Sequence, residues 1–105
     1  MSLSAETVER LGRAREVLEG LSVGDAFGEL FIQLNADAQA FYINNRHLPP
    51  VPMRYTDDTT MALSIYAVLR DHGQINQDTL ARHFADHFEQ NRGYGQGARR
   101  LLRML

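Results

Sequence analysis

The stretch YTDDTTMALSIYAVL, Tyr55 to Leu69, sets two adjacent carboxylates among hydroxyls and then runs directly into a helical apolar pattern. Thr56 to Asp58 read as a helix start, because threonine and aspartate accept hydrogen bonds from the free N–H groups of a first turn. Met61, Ala62, Leu63, Ile65, Tyr66, Val68 and Leu69 follow with almost no polar face until Arg70, which predicts a helix buried on most sides. Gly73 closes it in the usual position. The same carboxylate pair has two readings. It can cap the helix and complement the positive end of the macrodipole. It can also gather, with the Thr56 hydroxyl, the hard oxygen donors that suit Mg2+, Mn2+ or Ca2+ and do not suit zinc.

Outward from this centre the chain is helical in both directions. Ser4 or Ala5 opens a first helix, with Glu6 and Glu9 near its start and Val8, Leu11, Ala14, Val17 or Leu18, and Leu21 recurring at spacings of three and four. It is expected to continue through Gly24 and Gly28 of GLSVGDAFGELF to about Phe31, the glycines serving close backbone approach. From Gln33 to Tyr55 the period fades and Pro49, Pro50 and Pro52 forbid a regular helix, so a long connection is expected, with at most a short helical turn over Asp37 to Asn45. Asn76 starts a further helix carrying Leu80, Phe84 and Phe88 at four-residue spacing, stopped by Asn91 and Gly93. RGYGQGARRLLRML then reads as a glycine-punctuated turn and a last helix whose apolar side is Leu101, Leu102, Met104 and Leu105. No alternating run is long enough for a sheet, so the fold class is all-α, a helical bundle.

At 105 residues the chain holds one domain with a modest core. Absence of cysteine excludes a disulfide scaffold and thiolate metal sites, leaving oxygen or imidazole as ligands. The net charge of −2, with arginine as the only strong cation, suggests no field that would collect nucleic acid. Arg92, Arg99, Arg100 and Arg103 form a local basic stretch that reads as a solvated helix face. No apolar run approaches the ~20 residues of a membrane span, and the acidic, amphipathic N-terminus is unlike a signal peptide, so a cytoplasmic location is expected.

GLSVGDAFGELF followed by YTDDTTMALSIYAVL and RGYGQG resembles the N-terminal part of the ADP-ribosylglycohydrolase family, in the same order over nearly the whole chain. The resemblance implies a helical fold and a binuclear Mg2+ or Mn2+ centre that hydrolyses the bond joining ADP-ribose to a protein side chain or small acceptor. It makes Thr56, Asp57 and Asp58 metal ligands, Asp57 and Asp58 catalytic, and Thr59 a supporting residue behind them. On that basis Asp58 is expected to hold a water for attack on the anomeric carbon, with the carboxylates stabilising positive charge on the sugar. A substrate-binding set of Asp25, Arg92, Gly93, Tyr94 and Gly95 goes with it. Many members carry a glutamate four residues after the second glycine of GDAxG, where this chain has Ile32 with Glu29 directly after Gly28. Relatives also supply further metal ligands from a later Asp-Thr-Asp-type motif, which these residues lack.

Two carboxylates balance one divalent ion and not two, and the last helix stops without a closing residue. Both points lead to the expectation of a single incomplete domain over residues 1–105, inactive by itself, whose apolar face awaits a C-terminal polypeptide or another chain. The rival expectation is a non-catalytic helical interaction module built on the same front half. Other features keep two readings each. The turn around Gly93, Gly95 and Gly97 can present amides to a phosphate, with Arg92 as a planar fork, or be a flexible connection. Asp25 can be a site residue or a buried cap for a neighbouring turn. His83 and His87, four apart, have metal-ligand spacing but flank the phenylalanine stripe and read as boundary residues. Phe27, Phe31, Phe84 and Phe88 belong to the core by spacing, while Phe41 and Tyr42 can stack on an adenine.

Overall fold

The computed structural model describes residues 4–105, so Met1 to Leu3 of the acidic N-terminal stretch lie outside it. Five helices follow in chain order, α1 (Ala5–Ile32), α2 (Ala36–Asn44), α3 (Asp57–His72), α4 (Gln77–Asp86) and α5 (Gln96–Arg103), with no strand among the described residues. The all-α expectation holds. α1 begins where Ser4 accepts a hydrogen bond from the Thr7 N–H, and its 28 residues make a rod about 42 Å long. It runs unbroken through Gly20, Gly24 and Gly28. A Cβ added at Gly24 or Gly28 would meet nothing within 4 Å, which corrects the expectation of close backbone approach there.

The connection expected to be largely irregular contains the nine-residue α2. Its local signals are polar: Asn35 accepts from the Ala38 N–H, and the Gln39 amide donates back to the Phe31 and Leu34 carbonyls at 2.8 and 3.2 Å. The Phe31 carbonyl also accepts from the Leu34 N–H, so Gln39 ties the first turn of α2 to both the end of α1 and the turn that follows it. Apolar periodicity misses such a helix because it buries no residue.

α3 starts and stops where the sequence places it, with Thr56 accepting from the Asp58 N–H at the N-cap and Gly73 at φ 73° closing the C-terminus. Its burial differs from expectation. The buried positions are Thr59, Thr60, Ser64 and Val68, whereas Leu63, Ile65 and Leu69 are exposed. α1 and α4 pack against α3, and α5 packs against α4. Small hydroxyl side chains let the helices meet, and their polar atoms find partners: among the described residues no buried side-chain oxygen or nitrogen lacks one.

α4 ends at Asp86 and not near Asn91, because the chain turns at His87 and Phe88 leaves the helix to pack on Tyr94 with centroids 4.6 Å apart. Phe27 is likewise exposed, so it lies outside the core that its spacing predicted. The extents are 53 × 36 × 17 Å with a radius of gyration of 17.0 Å, against about 13 Å for a compact domain of this length. The helices therefore form a flat, open array, and α3 keeps bare apolar surface.

Candidate functional site

The site is built where the last third of α1 meets the start of α3. Asp25, on α1, accepts three hydrogen bonds from that start: Thr56 Oγ1 donates to Oδ1 at 2.6 Å, while the Thr56 N–H and Thr59 Oγ1 each donate to Oδ2 at 2.7 Å. Thr56 and Thr59 stand three apart, so their hydroxyls share a helix face and reach one carboxylate. Partial burial pushes the Asp25 carboxyl up, but the bonds from Thr56 and Thr59 outweigh it and hold the group below its ordinary value of 3.8. Asp25 thus joins the site as the anchor of the helix start, matching the cap reading of that residue.

Asp57 and Asp58 occupy the first two positions of α3, Asp57 half-buried and Asp58 exposed. Among the described residues neither carboxylate takes part in a hydrogen bond or ion pair. The threonines of the motif dock the helix, and its aspartates keep their oxygens open. Thr56 Oγ1 gives its proton to Asp25 and receives only a long 3.3 Å contact from the Asp58 N–H, so it too retains acceptor capacity. A hydroxyl oriented by a carboxylate beside two unpaired carboxylates is a hard-oxygen donor set that fits Mg2+ or Mn2+. No group of three or more His, Asp or Glu placed to hold an ion occurs among the described residues.

The segment after α4 lies against the same helix start. The Arg92 carbonyl accepts from the Asp57 N–H at 2.7 Å, and the Arg92 guanidinium sits 3.6 Å over the Tyr55 ring, donates to the Tyr55 carbonyl at 3.2 Å and pairs with Glu89 at 3.4 Å. Arg92 Nη2 makes no bond among the described residues. Tyr94 is buried, with its hydroxyl 2.9 Å from Thr60 Oγ1. The N–H groups of Gly93, Tyr94 and Gly95 have no hydrogen-bond partner among the described residues.

A cavity of about 510 Å3 opens beside Thr56. Tyr42, Tyr55, Arg54, Arg92, Gly93 and Glu29 are on its wall. Sequence reasoning singled out Arg92, Gly93 and Tyr42 of this wall but not Glu29, Arg54 and Tyr55, while Asp25, Tyr94 and Gly95 of the expected substrate-binding set are not on it. The phase of α1 carried a signal for Glu29, which stands four after Asp25 and so falls on the same helix face. Ile32 is exposed and is not on that wall.

His83 and His87 lie apart from this site, stacked with centroids 3.9 Å apart on a separate cavity of about 770 Å3. His83 Nδ1 is 2.8 Å from Ser64 Oγ, so this histidine docks α4 on α3 as a boundary residue. Burial, and then the neighbouring His87, hold His83 below its ordinary 6.5 against the opposing pull of Asp71 and Asp86.

No helix among the described residues is long and apolar enough to cross a membrane. Comparison with curated proteins and with solved structures returned no match. The family comparison did: residues 6–105 match the model described as ADP-ribosylglycohydrolase, so this chain, with its GDAFG and TDDT elements meeting at one point, belongs to that family.

Proposed function

We propose that the protein is a hydrolase of the ADP-ribosylglycohydrolase type, cleaving the glycosidic bond between ADP-ribose and a protein side chain or small acceptor. The observation carrying this reading is the pair of unpaired carboxylates beside a Thr56 hydroxyl whose proton Asp25 holds. Thr56, Asp57 and Asp58 would hold Mg2+ or Mn2+, with Thr59 supporting them through Asp25. When bound, such ions supply Lewis acidity toward the ribose hydroxyls and make water nucleophilic near neutral pH. A two-ion centre takes further carboxylates from a polypeptide segment beyond those described, because two negative charges balance one divalent ion.

Asp58, the more exposed carboxylate, holds the attacking water and takes its proton as oxygen bonds to the anomeric carbon. The bond to the acceptor breaks with its electron pair going to the acceptor, which takes a proton from solvent water, and Asp58 then returns its proton to solvent. Asp57 faces the positive charge that grows on the sugar. The cavity beside Thr56 suits the nucleotide part of the substrate: Tyr42 offers an aromatic face for a base, and Arg92 with the free N–H group of Gly93 offers donors for a pyrophosphate. Asp25 acts through Thr56 and Thr59, which it holds in place, and Tyr94 braces the donor turn through its hydroxyl contact with Thr60.

Free ADP-ribose released from an ADP-ribosyl-arginine substrate in millimolar Mn2+ is the direct test. The 105-residue chain is expected to bind Mn2+ weakly at Thr56, Asp57 and Asp58 and to show no turnover alone. Turnover at the rate of a family member with a full acidic set would overturn the incomplete-centre reading. No ion binding near these residues would reduce the motif to helix capping.

The exposed Leu63, Ile65 and Leu69 of α3 and Leu101, Met104 and Leu105 at the end of α5 favour a second reading, a non-catalytic helical module that docks another polypeptide. Loss of Mn2+ binding in Asp57→Asn separates the two, since a docking module has no use for that carboxylate.

A further inference from the structure

We propose that the strap Arg92 to Tyr94 is a positioning device for Asp57, acting on the backbone of that residue and not on substrate alone. The inference rests on the reading of Asp57 as a cation ligand. The first N–H groups of a helix have no partner within it, and helix ends open more easily than middles. A ligand at the first helical position would share that looseness.

Here the Asp57 N–H is held directly by a segment more than thirty residues downstream, and the Asp57 carbonyl is held by Thr60, which that segment contacts in turn. Its N–H donates to the Arg92 carbonyl at 2.7 Å, and its carbonyl accepts from Thr60 Oγ1 at 3.0 Å. Thr60 has one hydroxyl proton, already given to Asp57, so in the 2.9 Å contact with Tyr94 the tyrosine donates. Tyr94 and Thr60 are 5% and 6% exposed, which leaves water little access to replace either bond.

The strap is itself braced. Gly93 at φ 80° makes the reversal that lets the Arg92 carbonyl face Asp57 while the Tyr94 ring turns inward onto Phe88. Arg99, from α5, donates to the Tyr94 and Gln90 carbonyls at 3.0 and 2.8 Å. Arg92 itself is fixed over Tyr55, the residue immediately before the motif. Thr60, Tyr94 and the Arg92 carbonyl therefore set where the Asp57 Cα–Cβ bond points, and with it the carboxylate.

Mn2+ titration by calorimetry of the purified protein and its Asp57→Asn, Tyr94→Phe, Thr60→Val and Thr60→Ser variants tests this, alongside amide exchange at Asp57. Tyr94→Phe and Thr60→Val are expected to weaken Mn2+ binding by about 10-fold or more, and Tyr94→Phe to speed exchange of the Asp57 amide. Thr60→Ser, which keeps the hydroxyl, is expected to bind like the unaltered protein. If Asp57→Asn abolishes binding while Tyr94→Phe and Thr60→Val leave it unchanged, the strap is only structural and the cation reading stands. If the unaltered protein binds no Mn2+, both fall.

Discussion

Asp25 shows most directly how one side chain organises the site. Three donors converge on it, and each bond to a charged group contributes roughly 1.5–3 kcal/mol before the cost of partial desolvation. Asp25→Asn keeps the shape but replaces one acceptor oxygen by an NH2 group, which must face either the Thr56 N–H or a threonine hydroxyl that now donates to nothing. The expected loss is about 2–4 kcal/mol, read as a lower urea midpoint, with Asp25→Ala no worse by more than about 1 kcal/mol. Acid should act on the same group. Its folded value lies below the unfolded 3.8, so its contribution is complete above 3.8 and disappears as pH falls through the lower folded value. Unfolding midpoints followed from pH 5 downward should therefore drop more steeply for the unaltered protein than for Asp25→Asn.

Helices were legible in the sequence where capping chemistry is local, and misread where a distant contact decides. Ser4, Thr56, Gly73 and Asn76 cap their helices where the residue types predict. The four-residue spacing of Leu80, Phe84 and Phe88 did not reveal that α4 stops at Asp86, because Phe88 is drawn off by Tyr94 and braced under Arg99. Arg92 gave no local hint that Tyr55 was its partner, since the two are joined only when α3 and the strap meet. Glycine separates the two cases. Gly24 and Gly28 lie inside α1 with no neighbour where a Cβ would stand, so Gly24→Ala and Gly28→Ala should each stabilise by about 0.5–1 kcal/mol. Gly93 is equally open, yet its φ of 80° makes Gly93→Ala cost about 1–2 kcal/mol through the backbone alone. Melting curves of the three variants should move in those opposite directions.

At the scale of the molecule, thickness governs what substitutions do. A 17 Å slab of helices buries one stripe of α3 and leaves its flanks to solvent. Val68, 2% exposed, and Ile65, 40% exposed, are three residues apart on the same helix. Val68→Ala removes buried methyl groups and leaves a void, an expected loss of about 2 kcal/mol. Ile65→Ser removes more apolar surface by residue size, but from a flank that water already reaches, so its expected effect on the chain alone is within about 0.5 kcal/mol. Denaturant titrations of the two variants measure the difference. Ile65 borders the same hollow as Asp58, Leu21 and Met61, so a polypeptide covering this flank would lie beside the Asp58 carboxylate.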